Sequence, residues 1–459
     1  MIDKQSSHES FAESDRFEIG GEALYRDVTD EDAKKKQILD DIRIHIGTLL
    51  KTETVSFLLG AGASVECGGP LISSVPIAVE DALLKNGITG NAKPRIRRWL
   101  RVFYLAVRHA GSDEEIPLDR NSILKRRNHI AEEGAKPLGV NFEKLLALLY
   151  RWRSALPESG GRLCIYSSPE IDTTAADIDQ CINNATRALA NACNLPAGGK
   201  EDALNTFKTF IRKLLTRPLN LKRVNIFTLN YDTLVEQAAD AEGVVLLDGF
   251  VGTHCRVFRP ECYEQDLYFP AETTEGRVHR FDRVVHLYKL HGSITWVGQQ
   301  PTIDNPYGVV SKAFDQDESQ PLLIYPTPAK YGEMLGMPYS EMFRRFATSL
   351  VRPQSVLFVI GYGFGDEHVN AIIRQALAVP SFTLVIIDPK PLSKFVENLR
   401  TQKDRRIWIA SGPNLGRFSG FVEQLLPDLH DEDILKKVFT TWQSLEAKRN
   451  AEEEGADAD

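Results

Sequence analysis

Six short apolar runs recur over the second half of the chain: "VNIFTL" (224–229), "GVVLLD" (243–248), "VVHLYKL" (284–290), "SVLFVIGY" (355–362), "FTLVIID" (382–388) and "RIWIA" (406–410). Between some of them lie helical patterns such as "DTLVEQAADAEG" and "DEHVNAIIRQALA". A strand without a polar face must be covered on both sides, and strands separated by helices reach that state in a parallel sheet. A further run, Val55–Leu59, stands much earlier and ends in "GAGASVECGG". The expected fold class is therefore α/β, a doubly wound and mostly parallel sheet. From 74 to 217 the text is mainly helical, as in "PRIRRWLRVFYLAVRHA" and "NFEKLLALLYRWRSAL", with no convincing strand. That stretch is expected to be a large helical insertion after the first strand. Asn141, opening "NFEKLL", is most simply a helix N-cap.

Three segments follow from this pattern. Residues 1–35, rich in charge and poor in large apolar residues, are expected to be a mobile polar arm. Residues 36–430 form the α/β domain with 74–217 as its insertion, and 431–459 a C-terminal helix and acidic tail. "VVHLYKLHGSITW" is expected to run partly as a longer or bent strand.

Composition narrows the classes. The net charge of −8 argues against a large basic surface, although a local patch survives it. No run of apolar residues is long enough to cross a bilayer, and "MIDKQSSHESFAESDRFE" has neither signal-peptide nor transit-peptide character. The expected compartment is the cytoplasm, with no membrane partner. The cysteines, Cys67, Cys164, Cys181, Cys193, Cys255 and Cys262, include no pair at zinc-ribbon spacing and make no disulfide framework. No metal site is expected, and His254 and His286 stay unassigned.

In a doubly wound sheet, ligands bind beyond the carboxyl ends of the strands. Those ends carry Gly60-Ala61-Gly62-Ala63-Ser64, then Asn230-Tyr231-Asp232, then His291-Gly292-Ser293, then Gly361-Tyr362-Gly363-Phe364-Gly365-Asp366, then Asp388-Pro389. Glycine admits tight turns and close approach of a ligand to bare amides, and a helix beginning there favours a pyrophosphate. A strand-to-helix turn without any ligand fits the first stretch equally. Together, two glycine turns, an Asn/Asp pair, a histidine and a lone acid suit a nucleotide.

The order Gly-Ala-Gly-x-Ser, Asn-x-Asp, His-Gly and a second glycine turn resembles the sirtuin family of NAD-consuming enzymes. The blocks "GFVGTHCRVFRPECYE", "LYKLHGSITW", "LIYPTPAKYG" and "EMFRRFATSLVRPQSVLFVIGYGFGDEHVN" look like the sirtuin-like NADases of bacterial antiphage defence, in particular the subunit that works with a HerA-type ATPase. The resemblance runs from about Val55 to Ala410 and implies a sirtuin/Rossmann-like fold. It departs from the deacylases in two places. "VECGGPLISS" stands where they carry Pro-Asp-Phe-Arg, and no four-cysteine zinc module follows the His-Gly strand. What the resemblance implies is cleavage of NAD, as substrate, to nicotinamide and ADP-ribose, without zinc.

By the same resemblance, Asn230 orients the ribose and the attacking water, His291 is the general base, and Asp232 holds the nicotinamide carboxamide. Gly60, Ala61, Gly62 and Ser64 are the implied pyrophosphate cradle. Gly361 and Gly363 are the second turn near the ribose, and Asp388 meets the adenine ribose. Each also has a structural explanation. Asp232 and Asp366 suit helix N-caps, His291 a turn held by backbone, and Ser64 a cap; for Asp366 the cap is the reading adopted. The implied partners are a HerA-like hexameric ATPase and further copies of the chain, with nucleic acid met only through that complex. A Gly-x4-Gly-Lys-Ser/Thr motif is absent, so ATP hydrolysis belongs to another chain. Two other functions fit parts of the pattern. A dehydrogenase needs a third glycine where Val65 stands, and a nucleotide-sensing scaffold would keep the glycines without needing His291.

Overall fold

The computed structural model describes residues 14–26, 32–71, 73–90, 94–111, 116–132, 138–140, 142–157, 162–165, 171–269, 279–315, 321–323, 336–431 and 433–444. Asn141 and most of "LIYPTPAKYG" lie outside them. A hairpin of β1 (Arg16–Ile19) and β2 (Glu22–Arg26) precedes the helix Asp32–Leu49 and β3 (Thr54–Leu59). Within the insertion, β4 (Ile88–Thr89) pairs with β5 (Arg95–Ile96), and β6 (Arg162–Ile165) with β7 (Ile171–Thr174). There follow β8 (Asn225–Thr228), β9 (Val245–Leu247), β10 (Phe250–Val251), β11 (Arg256–Phe258), β12 (Tyr268–Phe269), β13 (His279–Arg280) and β14 (Val284–Lys289). The chain closes with β15 (Gly292–Gly298), β16 (Val309–Ser311), β17 (Pro321–Leu323), β18 (Ser355–Ile360), β19 (Thr383–Ile387) and β20 (Ile407–Ser411).

The main sheet has nine strands in the order β2-β1-β20-β19-β18-β3-β8-β14-β9. From β20 to β9 every pairing is parallel, and only the β1–β2 hairpin runs antiparallel at one edge. The doubly wound α/β class holds, because each central strand is apolar on both faces. Phe57, Ile226 and Phe358 point into one core, packed under the helices Asp32–Leu49, Leu204–Leu215 and Leu234–Glu242. Their neighbours Leu58, Phe227 and Val359 point into the other, under the helices Tyr339–Leu350 and Glu367–Leu377. Stacked rings of Phe57 and Phe358, 4.8 Å apart, join β3 to β18. The insertion has its own core, built on the helices Val75–Gly87, Arg98–His109, Phe142–Ser154 and Ala175–Ala192.

Several expectations are corrected. Residues 16–26 are not part of a mobile arm. Phe17 and Tyr25 are buried, and the hairpin extends the main sheet beyond β20. The insertion holds strands after all, in two ribbons whose two- to four-residue strands are too short to leave a period in the sequence. The first glycine turn leads into a four-residue 3-10 turn, Ala61–Ser64, and the α-helix starts only at Val75. "VVHLYKLHGSITW" is neither one long strand nor a bent one: β14 belongs to the main sheet and β15 to a second, antiparallel sheet, β10-β11-β16-β15-β17. The switch takes place at Leu290-His291, where Gly292 adopts φ +92°.

His286 on β14 lies against Tyr263 and Tyr288, and neither ring nitrogen has a hydrogen-bond partner among the described residues. Burial holds its pKa down at about 4. The unfolded chain therefore takes up a proton near pH 6.5 that the folded chain refuses until about pH 4. Stability is then full above pH 6.5 and falls as the pH drops through that window. We expect the melting temperature to fall between pH 7 and 5, and His286→Phe to flatten that dependence; an unchanged slope in the variant refutes the assignment.

Candidate functional site

Five parallel strands end on one rim in the order β19, β18, β3, β8, β14. The registers align Ile387 with Ile360, Ile360 with Leu59, Leu59 with Thr228, and Thr228 with Lys289. One or two residues beyond those ends stand Asp388, Gly361, Gly60, Asn230 and His291. Loops separated by up to hundreds of residues thus meet on a rim about 20 Å wide, at roughly 4.8 Å per strand.

The two glycine turns are locked together. Gly60 donates to the Ile360 carbonyl at 2.9 Å, Gly62 to the Gly361 carbonyl at 2.9 Å, and Gly361 to that of Ile387 at 3.0 Å. A Cβ on Gly62 would lie 2.7 Å from Gly361 Cα, and one on Gly361, whose φ is +63°, 2.5 Å from the Ala63 nitrogen. These glycines are bare because another loop of the same chain occupies the space. The amides of Gly60 and Gly62 are taken by protein carbonyls. Gly363 differs: it is exposed, and a Cβ there would meet no atom of the described residues within 4 Å.

Asn230 is half-buried. Its Nδ2 donates at 2.9 Å to the Gly60 carbonyl and at 2.9 Å to Ser64 Oγ. A carbonyl only accepts, so the amide orientation is fixed with Oδ1 facing away from these partners. Ser64 Oγ in turn donates to Asp232 Oδ2 at 2.7 Å. The other oxygen of Asp232 accepts from the Leu234 amide at 3.1 Å, in the first turn of the helix Leu234–Glu242. Asp232 is buried, and Ser64 nearly wholly so. The carboxylate therefore anchors Ser64, and Ser64 anchors Asn230. Asp232 and Ser64 make this relay within the chain.

Beneath it sits Lys289, the last residue of β14, buried and donating to the Asp232 carbonyl and to Glu236 Oε1, the latter at 2.8 Å. Burial raises the pKa of Glu236, against the pull of Lys289. A lysine inside the apolar run "VVHLYKL" was the signal for such a pair, since a buried ammonium needs a carboxylate or carbonyl.

His291 is also buried, and its Nε2 lies 3.1 Å from Asp366 Oδ2. Asp366 is reached only because the loop after β18 passes over the ends of β3 and β8. Tyr362 holds that loop: its hydroxyl accepts from the Asp366 amide at 3.0 Å and lies 3.1 Å from Asn370 Oδ1. Asn370 Nδ2 donates to the Phe364 carbonyl at 2.9 Å. Asp366 does cap the helix Glu367–Leu377, with Oδ1 accepting from the His368 amide at 3.0 Å. The cap reading covered one oxygen and missed the other. Asp388 is half-buried at the end of β19, where its Oδ1 accepts from the Lys390 amide at 2.8 Å, and burial raises its pKa.

The rim thus holds an oriented amide, an imidazole backed by a carboxylate, and an acid kept partly out of water, the equipment for positioning a sugar and a water. Residues 224–410 match the family model of the SIR2-like domain, a region running from the start of β8 through most of β20. No curated protein matches the chain significantly. Among solved structures, a Sir2 homologue in complex with NAD is 14% identical, with 87% of this chain and 94% of that one covered at a TM-score of 0.32. A Sir2 homologue variant in complex with ADP-ribose is 14% identical, with 78% and 94% covered at 0.27. Among the described residues, no group of three or more His, Cys, Asp or Glu side chains is placed to hold a metal ion, and no helix is long and apolar enough to cross a membrane.

The interlocked turns predict a contrast. Gly361→Ala combines a clash with positive φ and should destabilise the fold by about 1–3 kcal/mol. Gly363→Ala should be nearly neutral. Urea denaturation of both variants checks this, and equal losses contradict it.

Proposed function

We propose that the chain is a sirtuin-like NAD+ glycohydrolase that cleaves NAD+ to nicotinamide and ADP-ribose. One observation carries this reading: Asn230 and His291 stand on adjacent strand ends, each held by a second group of its own. The SIR2-like match over 224–410 and the resemblance in motif order support it.

The reaction asks little acid of the protein. When the C1′–N bond of the nicotinamide riboside breaks, its electron pair neutralises the pyridinium ring, so the leaving group needs no proton. The sugar passes through an oxocarbenium-like state. A water oxygen then bonds to C1′ and its proton must go to a base. The Asn230 Oδ1 edge accepts from that water and orients it. With Nε2–H donating to Asp366, Nδ1 is the basic nitrogen of His291, and the carboxylate steadies the imidazolium once the proton arrives. Positioning and exclusion of bulk water supply the rest. Asp388 offers the ribose hydroxyls an acceptor.

Depletion of NAD in antiphage defence, a cytoplasmic setting, a HerA-like hexameric ATPase partner and a homo-oligomeric assembly complete the proposal; these rest on the resemblance of the sequence blocks. The test is to incubate the purified chain with NAD+, with and without a HerA-like ATPase, and to measure nicotinamide and ADP-ribose by chromatography. Asn230→Ala and His291→Ala should each lower turnover at least about 100-fold with the fold intact. Full turnover in both variants refutes the mechanism. NAD+ binding without products in the wild-type complex leaves the nucleotide-sensing scaffold instead.

Asp366 separates positioning from capping. Asp366→Ser keeps a helix cap and loses the imidazole contact. It should hold the melting temperature close to wild type while lowering kcat roughly tenfold or more and shifting the acidic limb of the pH profile. A variant with wild-type kcat and pH profile shows that Asp366 serves the helix alone.

A further inference from the structure

The helical insertion carries a surface that NAD chemistry does not use. Arg95 on β5, Arg97, Arg98 and Arg101 at the start of the helix Arg98–His109, and Arg120 on the helix Arg120–Ala131 are all exposed. Arg95, Arg97, Arg98 and Arg101 fall within one stretch of seven residues. Arg97 and Arg98 are one helical turn from Arg101, and Arg120 reaches across to the Pro94 carbonyl at 3.0 Å, tying its helix to the segment before β5. The described acids nearby are engaged: Asp119 caps the same helix, and buried Glu80 is paired by Arg126 at 2.8 Å. Asp113, Glu114 and Glu115 lie outside the described residues.

We infer that this face binds the phosphate backbone of double-stranded nucleic acid, independently of the reaction at the sheet rim. Three features select that partner. The cations are mainly arginines, whose planar forks match phosphate oxygens. No large apolar side chain is exposed among the described residues between Pro94 and Glu132, so the apolar centre of a stable protein interface is missing. Trp99, Phe103 and Tyr104 are buried, so no aromatic platform is offered to unstacked bases, which separates a duplex from a single strand. The overall charge of −8 does not cancel the patch, because salt screens charges more than about 10 Å away.

The full chain is titrated against a fluorescein-labelled 20-base-pair DNA duplex of arbitrary sequence by fluorescence anisotropy, from about 50 to 200 mM salt. Binding should be sequence-independent and weaken steeply with salt. Arg97→Gln/Arg98→Gln/Arg101→Gln should weaken it at least tenfold and reduce the log–log salt slope by about 2 to 3. Arg120→Gln, on a different helix, should act in the same direction, and Lys394→Gln/Lys403→Gln should change nothing. Circular dichroism confirms that each variant is folded. No binding at 50 mM salt, binding unaffected by both patch variants, or equal displacement by a poly-glutamate peptide overturns the inference. The readout requires no NAD turnover, so failure of the glycohydrolase reading leaves it standing.

Discussion

The contact between Gly62 and Gly361 sets the geometry on which the rest of the rim depends. Two adjacent parallel strands always bring their ends within one strand spacing, but the loops leaving them usually splay apart. Here the loops after β3 and β18 are pressed backbone to backbone, with carbonyl and amide exchanged and no room for a Cβ. The first loop is thereby fixed where Asn230 can donate to the Gly60 carbonyl. The second is launched in the direction that carries Asp366 to His291. A side chain at either glycine would move both.

From that junction the site is organised as two short chains of support. Asp232 holds Ser64 and Ser64 holds Asn230; Asp366 holds His291. In each, a carboxylate stands behind the group that would meet the sugar, and in each one carboxylate oxygen also accepts from an amide at the start of a helix. Functional side chains are thus fastened to the elements that cover the sheet rather than to flexible tips. Buried Lys289 and half-buried Glu236 add an ionic floor in which burial outweighs the pull of the lysine on the carboxylate.

The sequence carried the sheet, the insertion and the rim loops, because continuous apolar runs and glycine punctuation are local signals. Neighbourhood was less legible. That β3 lies between β18 and β8 depends on crossovers that no single segment encodes. β2 lies at the sheet edge with one buried residue, and β1 beside it is only four residues long, so neither has the apolar run that marks the centre. Side chains with two tasks were half-read: Asp366 and Asp232 both satisfy the rules for a cap, and the second oxygen is visible only once the distant loop is in place. The space beside Gly60 and Gly62 is filled by the neighbouring turn, an approach that no local signal encodes. Lys289 was the residue whose anomaly was present in the sequence and whose meaning went unread.

The passage from β14 to β15 takes the chain out of one sheet and into another within two residues, and His291 is one of them. The imidazole is therefore mounted on the joint between two β-layers, while the carboxylate facing it arrives from a loop of the larger layer. Any tilt of the smaller layer changes the distance between the two halves of the pair without disturbing either strand. In the proposed reaction, the aim of the imidazole is thus tied to how two β-layers sit against each other.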